Sequence, residues 1–277
     1  MTLDTQGILA AVTIAMYVPF LLVSVKLVSK YGVSRGDGWI LLLIFCLIRV
    51  LGGSLLVAAE EVTPVNISLY IGGYALESSG LSPLLLCTLG LLHAIFQTPD
   101  GFSSHNRQFR LLGILGAVAL VLTIIGISNS SSDSSDSTAN TLRRVGVIIF
   151  AVLYIILVGI CVFLWKQTRF IMRYRKQLLK VITVALPFLG IRTLYSVLST
   201  FSSSSFDVTS TTQTNTSDLA KFNIFTGEWE IYVVMDMLME YAVVILYSVA
   251  GLMLPLNQDY KSPDSYQDEY TLSRPQY

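Results

Sequence analysis

Five ionisable side chains, Arg49, Glu77, Arg192, Asp236 and Glu240, stand near the middle of apolar stretches long enough to cross a bilayer. A charge in hydrocarbon is costly unless it is paired, neutralised or hydrated, so such groups are the first place to look for function. Acids near mid-membrane bind protons or cationic groups and move with a helix. An acid held neutral by apolar surroundings is, alternatively, a proton donor. Together with Tyr232, these five are the candidate substrate- or proton-binding residues.

Helical spacing turns the isolated charges into faces. Arg49 and Glu60 return to nearly the same side of one segment, where Gly52 and Gly53 permit close packing. Tyr70, Tyr74 and Glu77 form a stripe on the next segment. Arg192 shares a side with Tyr195, Ser196 and Ser199, and Trp229, Tyr232, Asp236, Glu240 and Tyr247 align along the last apolar segment. At 1.5 Å per residue, Asp236 and Glu240 fall about 12 and 18 Å below the outer boundary, and Glu77 about 13 Å below it. Two arginines face three deep carboxylates, so one-to-one pairing is impossible, and at least one acid is expected to be protonated or to face water. Against this stands a plainer expectation: the arginines pair with acids only to fix helix packing. Tyr74, Tyr232, Tyr247 and His93 read as packing or interface residues on the same footing.

The elements that must position these groups are membrane helices. Charged residues make up 13% of the chain and hydrophobic ones 53%, with a mean hydropathy of +0.65; a soluble domain carries roughly 25% charge. Apolar windows fall at residues 7–28, 38–59, 68–96, 110–127, 143–165, 179–200 and 229–253. A helix needs roughly 20 residues to cross the hydrocarbon, and the runs are continuous where a β-barrel would alternate. The expected fold is therefore all-α: a polytopic membrane protein with seven transmembrane helices over residues 1–256 and a polar tail over 257–277. The fourth span is the shortest, and the third has enough slack to tilt or break near Pro83. Helices and short connections use up the 277 residues, leaving no room for a separate soluble enzyme domain.

Asp4 before the first span, and Lys26, Lys30 and Arg35 at its end, favour a retained anchor over a cleaved signal peptide. With the N-terminus outside or lumenal, inner connections hold Lys26, Lys30, Arg35, Arg107, Arg110, Lys166, Arg169, Arg173, Arg175, Lys176 and Lys180, against Arg143, Arg144 and Lys221 outside. That bias places the C-terminus in the cytoplasm. The sequons at Asn66, Asn129 and Asn215 all fall on the outer side, making the chain a candidate glycoprotein. Asn129 and Asn215 are the better acceptors, because Asn66 sits close to the membrane. The Ser/Thr-rich stretches 128–142 and 201–228 read as extramembrane linkers. The basic 166–180 loop reads as a contact for anionic lipid headgroups and not for nucleic acid. Cys46, Cys87 and Cys161 read as small core hydrophobes. His93 and His105 lie too far apart for a metal motif, and no cofactor is expected. Plasma membrane and endoplasmic reticulum or other endomembrane both suit a multi-pass chain of this kind.

The run LPFLGIRTLYSVLSTFSS and, after the Ser/Thr-rich loop, FNIFTGEWEIYVVMDMLMEYAVVILYSVAGLMLP resemble an uncharacterised family of fungal seven-helix membrane proteins. LLLIFCLIRVLGGSLLVAAE and YIGGYALESSGLSPLLL extend that resemblance into spans two and three. More loosely, Arg192 with Tyr195, followed by Glu230 and Asp236, is similar to the fungal lipid-translocating exporters linked to aminocholesterol resistance. That resemblance implies transport or handling of a lipid or amphiphilic metabolite without an ATP-binding domain. The exporters' glutamate soon after the tyrosine is absent here. Fungal membrane-bound terpene cyclases are also small seven-helix proteins. Resemblance to them implies Glu77 and Asp236 as catalytic acids, with Glu240 adjusting their protonation, and Tyr74, Trp229 and Tyr232 facing a carbocation. Partners would be membrane lipids and a hydrophobic small molecule. A receptor, or an accessory scaffold for a metabolite pathway, is the further alternative on fold-level analogy; the absence of lysine from span seven argues against a retinal Schiff base.

Overall fold

The computed structural model describes residues 5–31, 37–62, 67–96, 106–129, 136–167, 173–202 and 229–254. Over these residues the chain is helical: α1 (Thr5–Tyr31), α2 (Asp37–Glu61), α3 (Ile67–Ser79), α4 (Leu81–Phe96), α5 (Asn106–Asn129), α6 (Asp136–Lys166) and α7 (Arg173–Ser202). α8 (Trp229–Tyr232), a π-helical segment (Val233–Leu238) and α9 (Met239–Met253) follow without interruption. α3 and α4 together form one span, as do α8, the π segment and α9, so seven segments are long and apolar enough to cross a membrane. The chain thus has the make-up of a multi-pass membrane protein. Ile8, Leu22, Leu111, Ile114, Ile155, Val184, Leu194 and Met253 point away from the bundle. So much exposed aliphatic surface is unfavourable in water and ordinary against lipid tails.

The third span is the core. Of its apolar window, 72% is buried, against 22–44% for the other spans. α4 packs on α2, α5, α6 and α7, while α1 lies against α2 and α9, and α7 bridges α6 and α9. Small residues allow the close approaches: a Cβ on Gly52 would lie 3.3 Å from the Cβ of Leu76, and one on Gly53 3.1 Å from the carbonyl of Ala10. At the end of the bundle expected to be cytoplasmic, the Tyr31 hydroxyl donates to the carbonyls of Gly251, at 2.8 Å, and Leu254. Lys30 Nζ adds a contact to the Gly251 carbonyl at 3.3 Å, where a cation suits the helix C-terminus.

The third span breaks near Pro83 as expected, at Gly80, three residues before it, whereas the starts of α6 and α7 differ from expectation. Proline has no N–H, and its ring crowds the carbonyl four residues back, which is that of Ser79. Pro83 is therefore seated in the first turn of α4. At the end of α3, Ser78 Oγ donates to the Ala75 carbonyl at 3.1 Å and Ser79 Oγ to that of Leu76 at 2.8 Å, while the Gly80 N–H donates to the Glu77 carbonyl at 3.3 Å. α6 begins at Asp136, inside the stretch expected to be linker, which puts Arg143 and Arg144 within a helix and buries Arg143. Likewise Arg173, Arg175, Lys176 and Lys180 occupy the first turns of α7 rather than a loop.

Candidate functional site

The five intramembrane charges meet. α2 supplies Arg49, α3 Glu77, α7 Arg192, the π segment Asp236 and α9 Glu240. Arg192 Nη1 lies 2.6 Å from Asp236 Oδ1, and its Nε donates to Glu240 Oε1 at 2.7 Å. Arg49 Nη2 donates to Asp236 Oδ2 at 3.3 Å and also to Glu240 Oε2. Each guanidinium thus touches both carboxylates, closing a ring of two cations and two anions whose formal charges cancel. The planar five-donor fork of arginine suits this bridging role. Ser196 Oγ accepts from Arg192 Nη1 at 2.6 Å and holds that fork from its own helix.

Glu77 is placed differently. Its Oε1 is 3.5 Å from Arg49 Nη1, the longest of the ion-pair distances, and it accepts a hydrogen bond from the Tyr232 hydroxyl. The Glu77 side chain is 12% exposed, whereas Asp236 and Glu240 are at 1% and 0%. The surplus acid foreseen by charge counting is therefore at the rim of the network, outside the closed ring.

Local sequence explains the arrangement. The Gly80 break is what lets Arg49 reach across: a Cβ on Gly80 would sit 3.1–3.3 Å from the Arg49 guanidinium. The π segment adds a wide turn between Tyr232 and Glu240, and the four-residue spacing of Tyr232, Asp236 and Glu240 keeps all three turned toward the network. Phe45 and Tyr195 wall the site, with Arg49 5.8 Å from the Phe45 ring and the Tyr195 ring 6.4 Å edge-on to that of Tyr232. Tyr17 on α1 completes the wall. It is 1% exposed, packs edge-on against Phe45 at 5.6 Å, and its hydroxyl has no hydrogen-bond partner among the described residues.

All six residues singled out as binders, Arg49, Glu77, Arg192, Tyr232, Asp236 and Glu240, are thus brought together. Others are not. Tyr74 packs with Ala10, Leu56 and Tyr70, and Tyr247 shares a 2.8 Å hydrogen bond with Thr88 deep in the core. Glu60 turns toward Gly7 on α1. His93 lies against Phe109 at 5.0 Å. Cys46, Cys87 and Cys161 are buried and free. Asn129 is the last residue of α5, while Asn66 and Asn215 lie outside the described residues. Spacing did not single out Tyr17 or Gly80, because an isolated tyrosine or glycine in an apolar helix carries no partner signal.

Fold and network together define a polytopic seven-helix membrane protein with a buried charge cluster at the junction of α2, α3, α7 and the last span. The chain belongs to the family described as Domain of unknown function (DUF7702), whose model matches residues 3–257. Neither a curated protein nor a solved structure matches it.

Proposed function

We propose that the protein transports or handles a lipid or amphiphilic metabolite, and that the charge network is its intramembrane site. One observation carries this: the two spans that bring acids to the network depart from regular α-helix beside them, and α7, which brings Arg192, is continuous but carries a proline. α3 ends at Ser79, two residues after Glu77; Asp236 lies within the π segment; Pro187 sits five residues before Arg192 in α7. Helices broken near the midplane let a binding group change its exposure without unfolding the bundle. The loose similarity of spans six and seven to lipid-translocating exporters points the same way.

In this reading the N-terminus faces outside or the lumen and residues 257–277 face the cytoplasm. The basic first turns of α7 then meet anionic headgroups, and Asn129 and Asn215 face the compartment of glycosylation. The test is a lipid and metabolite comparison of cells expressing wild type, Glu77→Gln or no protein, at matched expression and localisation. The expected result is an unchanged product spectrum with one amphiphile redistributed between cell and medium by wild type alone. A cyclised product made by wild type and lost in Glu77→Gln would overturn the proposal in favour of terpene cyclisation.

A further inference from the structure

We infer that Glu77 is the single proton-exchanging group of the network, with the Tyr232 hydroxyl as its hydrogen-bond partner in both protonation states. This rests on the network being the functional site, and it names the proton as the ligand bound there.

The argument begins with charge. Arg49 and Arg192 against Glu77, Asp236 and Glu240 leave one negative charge in excess when all five are ionised. A buried ion is tolerated only when compensated and hydrogen-bonded. Asp236 and Glu240 are both compensated, since each touches both guanidinium groups, although Asp236 Oδ1, 2.6 Å from Arg192 Nη1, makes no hydrogen bond among the described residues. A proton on either would weaken two ion pairs at once. Glu77 has one arginine contact, the longest, on a guanidinium already shared with both other acids. A proton on Glu77 leaves the neutral ring intact. It is also the most exposed of the three acids, at 12% against 1% and 0%.

The partner is suited to the exchange. A phenol both donates and accepts. Tyr232 donates to Glu77 when it is a carboxylate, and accepts from it when it is an acid, after one rotation of the hydroxyl. The other groups facing Glu77 are accounted for. α2 brings Arg49, the last span brings Tyr232 and, through space, Asp236, and α7 brings Tyr195 within electrostatic reach. From Gly113 to Asn129, α5 carries no titratable residue, and in α4 the titratable Cys87 and His93 lie beyond the break.

The experiment is an infrared pH titration of the full-length protein in lipid nanodiscs, with isotope-labelled glutamate separating Glu from Asp carboxyls. The expected result is one neutral-glutamic-acid carbonyl band that comes and goes with pH. It should be absent in Glu77→Gln, and displaced in frequency in Tyr232→Phe, which removes one hydroxyl and no charge. The same band persisting in Glu77→Gln, or lost in Asp236→Asn instead, would overturn the inference. So would a Tyr232→Phe spectrum identical to wild type, a reading that stands even if Glu77→Gln fails to fold. A titrating Glu77 band without amphiphile redistribution would sink the transport reading and leave this one standing.

Discussion

Arg49 is the residue on which the network hangs, because it touches Glu77, Asp236 and Glu240. Burying ions is a weak source of stability, but removing one partner of a buried set leaves the others uncompensated. Arg49→Met keeps the stem's packing against Phe45 and removes the charge. It is expected to cost about 3–5 kcal/mol, read as a lowered unfolding midpoint in detergent. Adding Asp236→Asn should return part of that loss, since one carboxylate then no longer needs a cation. A single-variant cost below about 1 kcal/mol, the scale of an exposed pair, would mean the ring does not hold as described. Glu77→Gln, by contrast, should leave the midpoint close to wild type. At this scale the sequence was informative about identity. Charges in apolar runs are conspicuous, and helical spacing placed Tyr232, Asp236 and Glu240 on one face. It was silent on which acid is the odd one out. That depends on distances across helices, and Glu77 separates from the other two only through contacts 28 to 191 residues apart in sequence.

Discontinuities define the elements. The break in the third span was foreseeable from Pro83, and its displacement to Gly80 follows from the carbonyl that proline cannot serve. The π segment was not foreseeable, because one extra residue in a turn barely perturbs a hydrophobic run in which nearly every position is apolar. Its consequence is testable. Val234 is 50% exposed on the lipid face of that segment. Deleting it removes the extra residue that the wide turn absorbs, so α-helical geometry should return with Tyr232 seven residues from Glu240 and within about 20° of it around the helix. Tyr232 then stays beside Glu77, so the infrared carbonyl band should match wild type, with the helical circular dichroism retained. A deletion variant whose band shifts as in Tyr232→Phe would show that the segment is not an absorbed extra residue.

For the whole molecule, seven spans and their all-helical character were legible because hydrocarbon thickness sets a length that composition reports directly. Span ends were less so: α6 and α7 extend beyond their apolar windows into charged and polar turns, where helix propensity and packing act instead. Transport further requires that the network be reached from both sides of the membrane. Ser196 is the least disruptive reporter, being half-buried and hydrogen-bonded to Arg192, with no charge of its own. The decisive measurement is labelling of Ser196→Cys by a membrane-impermeant thiol reagent in sealed vesicles, with Cys46, Cys87 and Cys161 replaced by alanine. Reagent would be applied from each side in turn, at low and at high pH. The account predicts labelling from both sides, with the favoured side changing as Glu77 gains or loses its proton. Labelling from neither side, or from one side at every pH, would contradict it and leave the charge network as a fixed strut.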